Sequence, residues 1–341
     1  MLTVLDSLNA GLRHAFDADP SVYHLGEDIL DPYGGAFKVT RGLSTAYPSR
    51  VLTTPVSEAG IVGIAAGMAL RGLRPVVEIM FGDFLTLAAD QLVNHIAKFR
   101  WMYNDQVRVP LVIRTPMGGR RGYGPTHSQT LEKLFMGIPG LLVVAPTALG
   151  DPGSLLARNI LETESPVLFV ENKLLYLLPL QENSLKSEFE HHELNDSING
   201  EIFSPAYQLT VRGAPKAQVT IAAYGYMAEL ARQAMLKLAY DYEVFAELFV
   251  PTQLAPFVMR SLHESLNRTG RLLTVEESTL TLGWGAEIVA LSCEALGSHL
   301  RTARRLAAVD TPVPASPALE QRTLPSVDQI IDTCLEMARG R

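Results

Sequence analysis

The stretch "VLTTPVSEAGIVGIAAGMALRGLRPVVEIMFGDF" (residues 51–84) decides the fold class. It reads as a short strand, a helix built almost wholly of small and apolar residues, and a second strand apolar on both faces. That succession is a β-α-β unit with parallel strands. One carboxylate, Glu58, stands at the mouth of the helix. The plainer reading makes Ser57 an N-cap and Glu58 a first-turn acid favoured by the helix dipole. This leaves the helix itself unexplained. Gly60, Gly63 and Gly67 share one face, and each costs up to ~1 kcal/mol relative to alanine. Something is therefore expected to come close to that backbone, most simply another helix, and such packing would bury the mouth as well. A buried carboxylate without a partner has its pKa raised and becomes a candidate proton shuttle.

Working outward, strand-length apolar runs alternate with helical patterns on both sides. Residues 3–17 read as a helix with Leu5, Leu8, Leu12 and Phe16 near one face. "VYHLGEDI" is a strand before it meets residue 51. Beyond residue 84 follow a long helix over "LTLAADQLVNHIAKFRWMYN", a strand in "VPLVIRTPMGG" and a Gly/Arg-rich loop, "GGRRGYGPTHSQ". A helix in "LEKLFMGIPG" and further strand and helix runs come next. Residues 181–217 are polar and aperiodic, which predicts an extended connection between domains 1–180 and 218–341. The second of these opens another series with "QVTIAAYG", a helix from Met227, "EVFAELFVP" and "RLLTVEE". The expectation is α/β, with two doubly wound domains.

Hydrophobic residues make up 47% of the 341 and charged residues 19%, a globular balance. The net charge of −7 argues against a nucleic-acid partner, which needs a basic face. No run approaches the roughly 20 apolar residues of a membrane helix. Cys293 and Cys334 suggest neither a disulfide framework nor a metal site, so a reducing, cytoplasmic setting is expected.

"TPVSEAGIVGIAAGMALRGLRPVVEIMFGDF", "DQLVNHIAKFRWMY", "GYGPTHSQTLEKLFMGIPGLLVVAP", "DPGSLLARNILETESPVLFVENKLLY", "TGRLLTVEES", "GWGAEI" and "DTPVPASPALEQRTLPSVDQII" together resemble one family. It is the beta subunit of the thiamine-diphosphate-dependent first component of 2-oxo acid dehydrogenase complexes, of the pyruvate, branched-chain and acetoin type. The resemblance covers nearly the whole chain. It implies a transketolase-like pyrimidine-binding domain followed by a transketolase carboxyl-terminal domain. The latter's expected tasks are dimerisation and docking of the acyltransferase core.

The resemblance also implies roles. Glu58 would meet a ring nitrogen of the cofactor's aminopyrimidine, where a proton-sharing carboxyl favours the tautomer that activates the thiazolium carbon. Phe84 would stack on the pyrimidine and Met80 would wall it, although core packing explains both residues as well. His127 would steady the substrate carboxylate or acyl group, against the alternative of a loop histidine bonded to backbone. Arg120 and Arg121 could steer an anionic substrate, or be solvated loop charges. Glu27 and Asp90 match acids of a polar proton tunnel joining paired active sites. Read alone, they are a strand-end acid and a helix-face acid.

A diphosphate cofactor needs Mg²⁺ and oxygen ligands, usually a Gly-Asp-Gly followed by an Asn in the family's other chain. No such pair occurs here, nor a GxxxxGK[ST] loop. The expected partner is thus an alpha subunit carrying the diphosphate and Mg²⁺ site, in a heterotetramer. A lipoylated dihydrolipoyl acyltransferase is the further partner implied, and a structural monovalent cation such as K⁺ the further ion. Two alternatives stand beside this reading. One keeps the decarboxylation but passes the acyl group to a non-lipoyl acceptor, as in acyloin formation or a specialised biosynthesis. The other is a non-catalytic assembly partner.

Overall fold

The computed structural model describes residues 2–180, 188–195, 197–198, 201–202 and 204–340. The chain forms two compact units, residues 1–118 with 134–180, and residues 119–133 with 181–341.

In the first unit, α1 (Val4–Ala18) starts on a capping box made by Thr3 and Asp6. There follow β1 (Val22–Gly26), α2 (Leu43–Ala46), β2 (Val51–Thr53), α3 (Glu58–Leu70) and β3 (Arg74–Glu78). Next come α4 (Ala97–Met102), β4 (Val112–Met117), β5 (Leu142–Val144), α5 (Pro152–Leu161) and β6 (Val167–Asn172). The strands lie parallel in the order β5-β6-β4-β3-β1-β2. Strand order reverses at β1, with β2 on one side and β3 on the other. In an open parallel sheet, that reversal opens a crevice beyond the carboxyl ends of the strands.

Two expectations change. The long helix foreseen over 85–104 is a 3₁₀ segment (Gly82–Ala88), a π segment (Gln91–Ile96) and then α4. Leu85, Ala88, Leu92 and Ile96 are buried as the periodicity required. A spacing of three to four residues sets the apolar face, but it does not choose between the three kinds of helical turn. "LEKLFMGIPG" yields only a 3₁₀ turn at Glu132–Leu134, with Gly137, Pro139 and Gly140 standing in the way of a longer helix.

The second unit contains β7 (Phe189–Leu194), β8 (Ala206–Val211), β9 (Val219–Ala223), α6 (Tyr226–Tyr242), β10 (Ala246–Pro251) and α7 (Arg260–Thr269). It is completed by β11 (Arg271–Thr279), α8 (Trp284–Leu296), β12 (Thr302–Ala308), α9 (Pro317–Thr323) and α10 (Val327–Ala338). The sheet order is β12-β11-β9-β10-β8-β7; the first four are parallel, β8 is antiparallel to β10, and β7 is antiparallel to β8. The polar stretch expected to be a bare connection thus supplies two strands of this sheet, and between them Ser197–Ile198 pairs antiparallel with Glu201–Ile202. β7, with Glu190, His192 and Glu193 exposed or half-exposed, has the polar character of a sheet edge, and polarity hid it from a search for apolar runs. His191 stacks on Tyr207 at 5.4 Å. The part of the expected connection at 181–187 lies outside the described residues. The loop at 119–133, expected in the first domain, packs with the second unit. No helix among the described residues is long and apolar enough to cross a membrane.

Candidate active site

In the first unit, three loops leave the sheet at the crevice. Glu27 follows β1, Met80 and Phe84 follow β3, and Glu58 opens α3 just after β2. The register brings them together, because Gly26 is level with Thr53 on one neighbour and with Glu78 on the other.

Glu58 is 6% exposed, and its side chain makes no hydrogen bond among the described residues. Its position at the first turn of α3 offers helix-dipole support but no donor. Ser57 occupies the N-cap, yet its hydroxyl makes no capping bond, so the ornamental reading of Ser57-Glu58 loses its main feature. Glu27 lies within electrostatic reach. Burial pushes its carboxyl up, the Glu58 charge adds to that, and the Ser57 N–H opposes them. One oxygen of Glu27, Oε1, is buried with no hydrogen-bond partner. Two carboxyl groups short of donors at the end of a parallel sheet suit a ligand that brings ring nitrogens and an amino group.

Met80 is half-buried, and Phe84 is half-buried with its ring edge-on to Phe81 at 5.9 Å. Asp90 stands apart. It is exposed, accepts a bond from Asn94 Nδ2 at 2.7 Å, and is not among the charges acting on Glu27.

The face of α3 that carries the glycines is open. Ala59, Gly60, Ile64, Gly67 and Leu70 are exposed, whereas Ile61, Val62, Ala65, Ala66 and Ala69 are buried. A Cβ added at Gly67 would meet nothing within 4 Å, and one at Gly63 would meet only the Gln91 side chain at 3.4 Å. The close helix approach expected there is not made within the described chain. Such an approach occurs instead between α1 and α5, where Gly11 and Gly153 each sit against the other helix's backbone.

Sequence reasoning missed the floor of the crevice. Arg114 in β4 is 1% exposed and forks onto Glu171 of β6, with Nε–Oε1 and Nη2–Oε2 both 2.8 Å. Its Nη1 donates to Glu78 of β3 at 2.9 Å, and the Tyr176 hydroxyl donates to Glu171 at 2.6 Å. Charged letters inside "VVEIM", "VIRTP" and "LFVEN" were the available signal, since a buried charge requires a paired one.

The second unit holds His127, which is half-buried. Its Nδ1 lies 3.0 Å from the Thr126 hydroxyl, and its own N–H donates to the Gly124 carbonyl at 3.3 Å. Nearby in sequence, Glu132 is fully buried and accepts a bond from the Tyr224 hydroxyl. Burial pushes Glu132 up to about 7; the Tyr224 bond opposes this, and the Glu276 and Glu277 carboxylates add to it. Because the folded state holds this proton more tightly than the unfolded one, its stabilising effect is complete below the ordinary glutamate range. It is lost as pH rises through about 7. Glu132→Gln should therefore flatten the pH dependence of the second unit's unfolding between pH 5 and 8. At pH 8 it should leave that unit more stable than wild type by at most about 3 kcal/mol. Urea titrations at several pH values measure this; parallel slopes for the two proteins would refute it.

Residues 1–178 match the family described as "Transketolase, pyrimidine binding domain", and residues 210–330 match "Transketolase, C-terminal domain". The chain is 36% identical to the pyruvate dehydrogenase E1 component subunit beta-2, mitochondrial, of Oryza sativa, over 97% of this chain and 84% of that one. It is 34% identical to the 2-oxoisovalerate dehydrogenase subunit beta of Pseudomonas aeruginosa, over 92% and 89%. The chain belongs to this family of dehydrogenase beta subunits.

As a member of that thiamine-diphosphate-dependent oxidoreductase family, the beta subunit has relatives with differently named activities. Acetoin:2,6-dichlorophenolindophenol oxidoreductase subunit beta of Cupriavidus necator is 33% identical over 99% of this chain and 98% of that one. A split-gene transketolase, described as an inactive beta4 tetramer, matches with a TM-score of 0.75 at 20% identity over 99% of both chains, which speaks for the fold.

Proposed function

We propose that this beta subunit, paired with an alpha subunit, decarboxylates a 2-oxo acid on thiamine diphosphate and passes the acyl group to a lipoyl-bearing acceptor. The observation that carries the reading is Glu58, a buried carboxyl without a donor, set beside Glu27 where the parallel sheet opens. Thiamine diphosphate, when bound, supplies the carbon nucleophile and takes up the electrons released with carbon dioxide. This chain's residues prepare the pyrimidine end. Glu58 shares a proton with a ring nitrogen, and Phe84 and Met80 provide the apolar walls. His127 steadies the substrate carboxylate, and Asp90 with Glu27 is assigned to proton passage between paired sites.

The diphosphate end, with its Mg²⁺, falls to the alpha subunit in a heterotetramer, and a structural monovalent cation such as K⁺ belongs to the same proposal. Support comes from the missing Gly-Asp-Gly and from the apolar surface the first unit leaves uncovered. Val56, Ile64, Trp101 and Met102 are exposed, Trp101 by 89%. The open glycine face of α3 gives a sharp prediction. Gly67→Leu should stabilise the isolated beta subunit, by up to ~1 kcal/mol from helix propensity, yet prevent pairing with alpha. Size-exclusion chromatography of the mixed subunits with melting of beta alone reads both arms, and normal pairing would refute the assigned interface.

Turnover of pyruvate and of branched 2-oxo acids by the assembled pair, with a lipoylated acyltransferase domain as acceptor, tests the function. Turnover only with a dye or an aldehyde acceptor would favour the non-lipoyl alternative, consistent with the acetoin-type relative. No turnover with any 2-oxo acid would overturn the reading.

A further inference from the structure

The loop that carries His127 is gripped by the second unit in an unusual way. Its first residues hand their backbone N–H groups to buried carboxylates. The Gly119 N–H donates to Glu277 Oε1 at 2.7 Å. The Arg120 N–H donates to Glu320 Oε1 at 2.6 Å, and the Gly122 N–H to Glu320 Oε2 at 3.2 Å. Glu320, in α9, is 4% exposed, and no cation is paired with it among the described residues. Both of its oxygens are therefore spent on the backbone of one loop. A buried carboxylate is costly unless its lone pairs are filled, and N–H bonds to an ionised acceptor are strong. Successive N–H groups converging on an anion form the concave backbone arrangement that binds anions generally. Here the protein itself supplies the anion.

The grip holds a backbone that would not rest there unaided. Arg120 has φ of 66°, a left-handed conformation that is unfavourable for any residue with a Cβ, and Gly122 and Gly124 also lie at positive φ. The Arg120 side chain is turned inward, donating to the Pro325 carbonyl and lying over the Tyr226 ring at 6.0 Å. At the far end, Glu132 is tied by Tyr224, and Lys133 Nζ donates to the carbonyls of Thr279 at 3.1 Å and Thr281 at 2.6 Å. His127 sits between these two anchors. The near anchor also leaves no slack, since a Cβ on Gly119 would meet Leu324 Cδ1 at 2.7 Å and Glu320 Oε1 at 3.0 Å.

We propose that Glu320 is a positioning residue for His127: its carboxylate, bound to the N–H groups of Arg120 and Gly122, fixes the loop conformation that presents the imidazole. The catalytic consequence rests on the functional reading above, whereas the grip itself does not.

Two measurements on the full-length chain assembled with its alpha subunit test the proposal. In Glu320→Ala, hydrogen exchange at 119–128 should accelerate at least tenfold while α10 keeps its wild-type protection. Glu320→Gln should fall between, because its amide oxygen can accept one of the two N–H bonds. Should Glu320→Ala not fold, Gly119→Ala displaces the carboxylate without removing it and should give the same exchange signature. In turnover, Glu320→Ala should lower kcat/KM about 100-fold in wild type but less than threefold when His127 is already alanine. Equal losses in both backgrounds would show a merely structural contribution and overturn the positioning role. Unchanged exchange at 119–128 would overturn the grip whatever the activity. A wild-type pair without 2-oxo acid turnover would sink the functional reading, and the catalytic half of this proposal with it.

Discussion

Glu58→Gln, assembled with the alpha subunit, should lose between 100- and 10,000-fold in 2-oxo acid turnover while the beta subunit melts no lower than wild type. The activity loss follows from the role assigned to the carboxyl. A positioned proton-sharing group is worth about 10² to 10⁴ in rate, or roughly 3–5 kcal/mol of barrier, and glutamine keeps the shape but cannot share a proton. The stability half follows from the geometry. The Glu58 side chain makes no hydrogen bond among the described residues, so the amide forfeits none there. Removing a buried charge also relieves its neighbour. Glu27, held up first by burial and next by the Glu58 charge, should titrate lower in the variant. Steady-state kinetics, thermal melting and a carboxyl titration by NMR give three readings from one substitution. Turnover within threefold of wild type would remove Glu58 from the chemistry and revive the assembly-partner reading.

The largest stability effect is expected at Arg114. Arg114→Ala would leave Glu78 and Glu171 facing each other across β4 without a cation, in a place where water cannot replace it. Breaking a buried ion pair from one side costs about 3–5 kcal/mol, which lowers the melting point of a unit this size by on the order of 10 °C. Arg114→Lys should recover part of the loss, because one ammonium cannot reproduce the fork onto Glu171 and the bond to Glu78. Acid should act in the same direction. Burial would raise Glu78, but His24 and Arg114 outweigh it and hold the carboxyl below its ordinary value. Its stabilising effect is therefore present above the ordinary glutamate range and is lost as pH falls through the lowered folded value. In Arg114→Ala that acid limb should move to higher pH. A melting point within 2 °C of wild type would show that the network is not needed to hold the strand ends beneath the crevice.

Much of the architecture was legible because it is written in periods. The β-α-β reading of 51–84 stands as β2, α3 and β3, and the helix expected over 3–17 is Val4–Ala18. The second series from "QVTIAAYG" onward also appears in order. Edges were illegible. β7 turns a polar face outward, and a strand that buries little carries no apolar signature. Small residues misled in a different way. Gly60, Gly63 and Gly67 look like a packing seam, yet no other helix backbone lies against them among the described residues, whereas Gly11 and Gly153 mark a close approach of α1 and α5. A glycine reports that its neighbourhood admits a close approach, not what makes it.

By itself the sequence determined the fold class and the family, because hydrophobic period and motif spacing are local properties of the chain, and it singled out Glu58 and His127 as the acid and histidine of the proposed site. Only the tertiary structure decided that Glu58 and Glu27 share one crevice, that a buried arginine braces the strand ends below it, and that the His127 loop is held by Glu320, roughly 200 positions away. Each of those depends on which distant groups are brought together out of water, where a charge or an N–H must find a partner. Spacing along a chain carries no record of such pairings.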